Sequence, residues 1–433
     1  RGDENVVLIV VDCLRADHLP TYGYGRETAP NVEALARDGV VFEHAVAQSN
    51  WTKPAVVSLL TSLYVSQHGV TEGRLHKLAA KRADGVAAHV VPASLVTLPE
   101  RLKEAGLATA GLVHQGHLPD YMGFAQGFDV YDHRVGDSQI PLRFAKWVRR
   151  LGGRRFFAYL HFLDLHFPYA PAAPFDLFTP GVGDGTIARL MRHDPEGFRK
   201  RIAEAPLSAD GVEELRALYD GDLRMVDARV GRVLAFLREQ GLYDSSLIVL
   251  TSDHGEALLE HGVFEHGADV LYAEVVRIPL IVKLPRGRYG GRRVGGAVQA
   301  VDVMPTVLDA LGLEPPEEAG GRSLLGLIEG RDGPRPAFTE ATKQESKKAV
   351  YQDGHKFVFD LATGHVEVFR FVEDPFERVD LAREVDPVRV AEARRLLEER
   401  VAANALFARR LSGGEAWLRT AEIEQLRALG YVQ

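Results

Sequence analysis

Two aspartates and one hydroxyl stand out in the sequence because of what precedes and follows them. Asp12 ends the apolar run Val6–Val11, and Asp253 and His254 follow the apolar run Leu247–Leu250 by way of Thr251 and Ser252. A carboxylate at the end of one buried strand and an Asp-His pair at the end of another can grip a divalent cation on one side and leave its other side open, which is a catalytic arrangement. Taken singly, each acid reads equally well as the cap of a following helix or turn. Thr52 carries the same double reading. In "WTKPAVVSLLTS" the Lys53-Pro54 pair and the apolar run behind it predict a helix start. Thr52 is then either an N-cap contributing ~1 kcal/mol, or a hydroxyl at the positive end of a helix dipole, where an alkoxide or bound oxyanion is favoured.

Histidines gather near these positions. His161-x4-His166-x-Pro168 puts two imidazoles and Asp164 in one extended stretch, and His254, His261 and His266 crowd a short segment with Glu256, Glu260 and Glu265. Alone, each is an ordinary surface or core residue. Converging on one place, they would form a set of titratable groups that mere solvation does not call for.

The elements that must position these groups can be read from hydrophobic patterning. Val6–Val11 and Leu247–Leu250 are continuous apolar runs, as in strands of a parallel sheet covered by helices on both faces. "TLPERLKEAGLATAGLVHQG" reads as helix, Gly106 stop, then strand, "FFAYLHF" as a strand, and residues 213–240 as a helix stopped by Gly241. The order is βαβα, and open sheets of this kind place their sites at the carboxyl ends of the strands. Segment 176–212 mixes Gly, Pro, Asp and Arg with weak periodicity and reads as a surface excursion or lid without fixed structure. Residues 314–335, rich in Gly, Pro and Glu, mark a boundary between a main domain, 1–335, and a C-terminal portion, 336–433. In the latter, turns at Asp353-Gly354 and Thr363-Gly364 separate short strands of a small antiparallel sheet. Residues 386–411 follow as an amphipathic helix, either a half-buried cover or a membrane-surface element.

Composition narrows the classes. The 433 residues are 46% hydrophobic and 26% charged, and no apolar run reaches the ~18 to 20 residues of a membrane span. A net charge of −8 without a basic stripe argues against nucleic-acid partners. The single cysteine, Cys13, excludes an intramolecular disulfide and any multi-cysteine zinc site. The chain opens on Arg1 and enters an apolar strand within a few residues, which is consistent with removal of an upstream leader or anchor and with an extracytoplasmic location.

The stretches "VVLIVVDCLRADHLPTYGY", "NWTKPAVVSLLTSLYVSQHGV", "SSLIVLTSDHGEALLEHG", "VRIPLIVKLP" and "VDVMPTVLDALGL", with "VFRFVEDPFERVDLA" and "LRALGYV" near the end, resemble the sulfatase branch of the alkaline phosphatase superfamily in order along nearly the whole chain. The resemblance implies a three-layer α/β sandwich with a central, mostly parallel sheet flanked by helices, plus a small C-terminal antiparallel sheet with a helix. It implies a metal-dependent hydrolase or transferase of sulfate, phosphate or phosphonate esters that works through a covalent intermediate. By motif, Asp12, Asp253 and His254 fall on metal ligands and Thr52 on the nucleophile. His166 falls on a histidine of the site's extended segment, His266 on the one near the transferred group, and His114 near a substrate-contacting lysine.

The chain also departs from the family pattern. Formylglycine sulfatases carry Cys or Ser followed by x-Pro-Ser-Arg, whereas this chain has Thr52-Lys53-Pro54-Ala55-Val56, and threonine is not a formylglycine precursor. Cys13 stands where many sulfatases have a second acid, either as a small buried side chain or as a ligand for a soft metal such as zinc. An unmodified threonine is what the resemblance associates with phosphodiesterases and phosphotransferases, some of which form a second metal or phosphate site from the two histidine spacings seen here. The expected cofactor is a divalent ion (Zn, Mn or Ca) at one site, with a second site open. The expected substrate is a small-molecule or lipid-headgroup ester. Lys53, His161 and Asp164 are candidates for contact with the substrate or for supporting it, and Thr52 is expected to touch the metal as well. The competing readings are a sulfatase with an altered nucleophile and a catalytically silent scaffold.

Overall fold

Residues 4–71, 86–266, 269–342, 346–411 and 415–418 are described in a computed structural model of the chain. The strands are β1 (Val6–Val11), β2 (Val40–Val46), β3 (Val86–His89), β4 (Ala108–Val113), β5 (Val130–Asp132), β6 (Phe156–Phe162), β7 (Leu247–Thr251), β8 (Arg277–Lys283), β9 (Arg293–Gln299), β10 (Ala337–Glu340), β11 (Lys347–Gln352), β12 (His355–Asp360), β13 (Val366–Arg370) and β14 (Glu415–Leu418). Eight of them form the central sheet in the order β5-β4-β6-β1-β7-β8-β2-β9. Its pairings are parallel except those on either side of β8, which runs against β7 and β2.

The reason β1 lies at the centre is visible in its residues. All six are buried, and the two-residue period of a strand sends Val6, Leu8 and Val10 to one apolar cluster and Val7, Ile9 and Val11 to the other. Helix Thr52–Thr61 covers the first face through Val56, Leu59 and Leu60. Helix Ala209–Glu239 covers the second through residues including Leu215, Val226, Val230 and Leu237. A sheet coated with apolar side chains on both faces leaves its strand ends as the natural outlet for polar groups.

Segment 176–212 departs from expectation. It holds two helices, Thr186–His193 and Pro195–Glu204, because Ile187, Met191 and Phe198 are buried in the second cluster. Those few anchors are too widely spaced to register as periodicity. Beyond the main sheet, β10 to β13 form an antiparallel meander in chain order. The β11–β12 turn uses Asp353 and Gly354, both at positive φ (48° and 76°), as primed hairpin turns require. Helix Pro387–Ala408 lays Ala393 and Leu397 on this sheet, in one cluster with Val350, Phe357 and Val368.

The small sheet is tied to the main one. Glu340 N donates to Gln48 O (3.1 Å), and Gln299 Oε1 accepts from Phe338 N (2.9 Å) and Tyr64 OH (3.1 Å). A buried ion pair adds to this, with Lys356 Nζ lying 2.7 and 2.9 Å from the two oxygens of Glu377, which also accepts from Ala273 N at 3.0 Å. Truncating one partner strands the other charge without water. Lys356→Met is therefore expected to lower unfolding stability by about 3–5 kcal/mol in urea titration, and Lys356→Met/Glu377→Leu to recover most of that loss. A second tie is titratable. The hydrogen bond from His261 Nδ1 to Glu274 Oε1 (2.8 Å) raises the His261 pKa to about 9 against the pull of burial, while its Nε2 reaches Glu377 O at 3.0 Å. Because the folded value exceeds the unfolded one of about 6.5, this stabilisation is complete below about pH 6.5 and is lost as pH rises through about 9. His261→Asn, chosen because His261 sits at φ 50°, should flatten the fall in melting temperature between those limits.

Candidate active site

The loops at the carboxyl ends of β1, β2, β4, β6 and β7 meet on one edge of the sheet. From β1 come Asp12 and Cys13, from β4 Gln115, from β6 His166, from β7 Asp253, His254 and Glu256, and from the helix after β2, Thr52; His161 lies within β6 near its end. Adjacent parallel strands explain the two aspartates. The register that pairs Val10 with Thr251 continues beyond the strands to bring Asp12 opposite Asp253. Ser252 then locks the two ends together, its Oγ lying 2.6 Å from Val11 O and 2.5 Å from His254 O, either of which can take its one proton, and accepting from Leu14 N (3.0 Å). Tyr219 OH pins the same loop through Cys13 O (2.8 Å) and Arg15 N (3.0 Å). Gly255 admits no side chain, since a Cβ there would fall 2.1 Å from Glu274 O.

Thr52 is the first residue of its ten-residue helix and Trp51 the N-cap, so the capping reading of Thr52 gives way. Its hydroxyl instead lies 3.2 Å from His254 Nε2 and 3.5 Å from Asp12 Oδ2, at the positive end of that helix. Gln115 Nε2 reaches both Asp12 Oδ2 and Thr52 Oγ1, the latter at 3.5 Å. His254 Nδ1 donates to Gly255 O (2.8 Å), which leaves the Nε2 lone pair facing Thr52, Asp12 Oδ1 (3.5 Å) and Asp253 Oδ2 (3.5 Å). His161, wholly buried, sets Nε2 3.7 Å from Asp12 Oδ2 and holds Tyr159 OH at 2.6 Å with Nδ1. The His166 and His266 rings lie 5.3 Å apart, and His266 stacks obliquely 4.3 Å from His254.

The electrostatics follow from burial. Burial pushes Asp12 up, but the His161 hydrogen bond and the charges of His254, His166 and His161 carry it well below the carboxylate range. Asp253 is pushed up by burial and by Asp12, against His254 and His161. Burial lowers His254, and the charges of Asp253 and Asp12 more than reverse this. The two carboxylates thus hold either a proton on His254 or a cation in its place.

A divalent ion fits this donor set. Asp12, His161 and Asp253, and likewise Asp12, Cys13 and His254, offer ligand atoms all within 4.8 Å of one another. Asp253 Oδ2 is buried with no hydrogen-bond partner among the described residues, although buried acceptors rarely go unsatisfied. Asp12, Asp253 and His254 would hold the ion, with Thr52 beside it.

The remaining sequence candidates divide. His114 turns away from Thr52 and pairs with Asp137 Oδ1 at 2.9 Å, and Asp164 meets Arg229 in the same group. The position beside Asp12 belongs to Gln115, one residue along. Successive side chains on an extended chain point to opposite faces, so that single step decides which residue enters the site. Lys53 is fully buried rather than solvated. Glu256, which the sequence marks only as one member of a crowded His/Glu stretch, is buried and bonds His266 Nδ1 at 2.9 Å. A cavity of about 710 Å³, lined by Arg15, His18, Arg26, Glu260, His261 and Arg277 among others, opens near this edge without including Thr52.

Known proteins share both the sequence pattern and the fold. Residues 4–313 match the family model described as Sulfatase, and residues 259–394 match one described as N-sulphoglucosamine sulphohydrolase, C-terminal. The multifunctional alkaline phosphatase superfamily protein PehA of Trinickia caryophylli is 29% identical over 398 residues, covering 75% of this chain and 77% of its own. Human N-acetylgalactosamine-6-sulfatase is 25% identical, covering 84% and 73% respectively. The crystal structure of phosphonate monoester hydrolase of Agrobacterium radiobacter superposes with a TM-score of 0.72 at 22% identity, covering 96% of this chain and 100% of that one, which shows a shared fold. The chain belongs to the sulfatase family of the alkaline phosphatase superfamily and is a hydrolase of phosphoric or sulfuric esters.

Proposed function

We propose that the protein hydrolyses phosphate or phosphonate esters through a covalent intermediate on Thr52. The observation that carries this reading is an unmodified hydroxyl, buried at a helix start, 3.2 Å from His254 Nε2 and 3.5 Å from Asp12. The likeness to PehA and to a phosphonate monoester hydrolase supports phosphorus over sulfur. A divalent ion held by Asp12, Asp253 and His254 supplies positive charge that lowers the hydroxyl's pKa and offsets the charge on the substrate's oxygens. The one imidazole among these ligands, His254, favours zinc or manganese over calcium, which takes 6–8 oxygens.

In this reading Thr52 gives up its proton and attacks in line. The Thr52 proton passes to solvent, the Oγ1–P bond forms while the P–O bond to the leaving group breaks, and the leaving oxygen departs with the electron pair and takes a proton from His166 or His266, which solvent replaces. The helix dipole and the Gln115 amide steady the transferred group, and His166 and His266 neutralise charge as it develops. Water then attacks phosphorus, releasing the product acid and restoring the Thr52 hydroxyl. An acceptor alcohol in place of water would make the enzyme a transferase.

Thr52→Ala should lower kcat on a phosphonate monoester or phosphodiester on the order of 10⁴-fold while leaving metal content intact, whereas Thr52→Ser keeps part of the activity. Acid quench during turnover followed by peptide mass spectrometry should find the phosphoryl or phosphonyl group on residue 52. A higher kcat/KM for an aryl sulfate than for any phosphorus ester would overturn the assignment. Asp253→Asn or dialysis against a chelator should remove the ion and the activity together, and zinc or manganese added back should restore the chelated protein but not the variant.

A further inference from the structure

The amino edge of the sheet, opposite Thr52, carries charge contrary in sign to the chain's net −8. Arg143, Lys146, Arg149, Arg150, Arg154 and Arg155 follow one another between Asp137 and Asp164 with no acid among them. The first four lie on the exposed face of helix Ile140–Arg150, which buries Ile140, Phe144 and Val148 on its other side, and the last two lie in the loop before β6. Arg143 pairs with Asp132. No carboxylate of the described residues pairs with the other four arginines. Arg149 lies over the Phe236 ring at 5.1 Å, and Arg155 Nη2 donates to Ala105 O at 2.9 Å.

Three of these arginines, Arg149, Arg154 and Arg155, frame a cavity of about 440 Å³ at the amino ends of β1, β6 and β7. Val148, Phe156 and Leu242 give it an apolar floor, Asn5, Gln240 and Ser245 add neutral polar groups, and no carboxylate lines it. Asn5 is fixed in place. Its side chain is 5% exposed, and Oδ1 accepts from Phe156 N at 3.0 Å, which leaves Nδ2 as a donor with no hydrogen-bond partner among the described residues. A guanidinium has five N–H groups and no lone pair, so the cavity offers donors far in excess of acceptors.

We propose that this cavity binds the phosphate group of a small phosphorylated anion or of a lipid headgroup, gripped by Arg149, Arg154, Arg155 and the Asn5 amide. Arginine's planar fork meets phosphate oxygens two at a time, and a phosphomonoester dianion supplies the acceptors that the lining lacks. The apolar floor keeps water from one side of these contacts and strengthens them. The volume exceeds that of a bare phosphate ion and falls within the range of about 300–1,000 Å³ typical of small-molecule sites, so the phosphate arrives attached to something larger. Lys146 and Arg150, outside the cavity on the same helix, draw anions toward it. The six residues of β1, at ~3.3 Å each, set the cavity about 20 Å from Asp12, so the site is independent of the reaction proposed above.

The test is phosphate uptake by the full, metal-loaded chain, titrated calorimetrically with inorganic phosphate. Arg149 and Arg154 are exposed, and Arg149→Gln/Arg154→Gln should weaken one phosphate site on the order of tenfold or more while kcat/KM for ester hydrolysis is unchanged. Phosphate held at the catalytic edge is common to both proteins, so the difference isolates the cavity. Arg143→Gln/Lys146→Gln removes equal charge from the same helix outside the cavity and should leave uptake at the wild-type level. Sedimentation with phosphatidylcholine vesicles, with and without phosphatidic acid, separates the two sources. Binding to the phosphatidic acid vesicles that Arg149→Gln/Arg154→Gln abolishes assigns a headgroup, and lost phosphate uptake with vesicle binding absent or unaltered assigns a free anion. Equal phosphate affinity in the wild type and Arg149→Gln/Arg154→Gln, or an equal loss in Arg143→Gln/Lys146→Gln, overturns the proposal.

Discussion

Two carboxylates that cannot comfortably share a dry site set the terms for the catalytic edge. Asp12 and Asp253 are brought together by nothing more than neighbouring parallel strands in register, and both are buried. Like charges at such distances raise one another's pKa, and burial raises both further. Asp12 keeps its charge because His161, His254 and His166 surround it, and Asp253 bears the strain. The histidines are thus part of the electrostatic balance that lets the strands end as they do. A divalent cation satisfies the same demand more completely, since it brings two charges and accepts lone pairs that a proton on His254 leaves idle.

Such an arrangement has value only if it is rigid. The acids ride on strand ends, and Ser252 stitches the two strand ends by setting its Oγ 2.5 to 3.0 Å from Val11 O, His254 O and Leu14 N. Tyr219, from the long helix that covers one face of the sheet, fixes the Cys13–Arg15 backbone. Cys13 itself is held at φ 60°, a conformation a non-glycine residue seldom adopts without support from its surroundings. Supports that adopt one geometry while the substrate is absent do not have to be reorganised during reaction, which is the main source of electrostatic catalysis.

Much of this is legible in the sequence, and the limits have physical causes. The strands carrying Asp12 and Asp253 are plain, because continuous β-branched runs bury on both faces and few other structures tolerate them. Helix Ala209–Glu239 is equally plain from its periodicity over many turns. At the site, the residues that stand at strand ends or belong to dense histidine stretches are visible. Gln115 is not, since choosing between it and His114 depends on which face the chain presents after β4, a matter of one residue in register. Ser252 and Tyr219 act through backbone atoms of distant segments, so no local pattern announces them. The excursion at 176–212 reads as irregular because three buried anchors, Ile187, Met191 and Phe198, suffice to fix two short helices onto a core that already exists. Propensity matters least where the partner surface is ready-made.

The turn that bears Thr52 shows why a plain alcohol is self-consistent here. Resemblance assigns position 56 to an arginine that supports a modified residue, and this chain has Val56. That side chain is fully buried in the cluster that includes Val57, Leu59, Leu60 and Leu63. A guanidinium there would have to be desolvated among aliphatic groups, at a cost of several kcal/mol without a carboxylate to meet it. The position is therefore given over to packing. In the proposed mechanism, what sharpens the Thr52 hydroxyl comes from the other side: the helix N-terminus, the Gln115 amide, and the charge gathered by Asp12, Asp253 and His254. A threonine has one oxygen to orient, and its β-branch, fully buried, limits the rotamers in which that oxygen can stray.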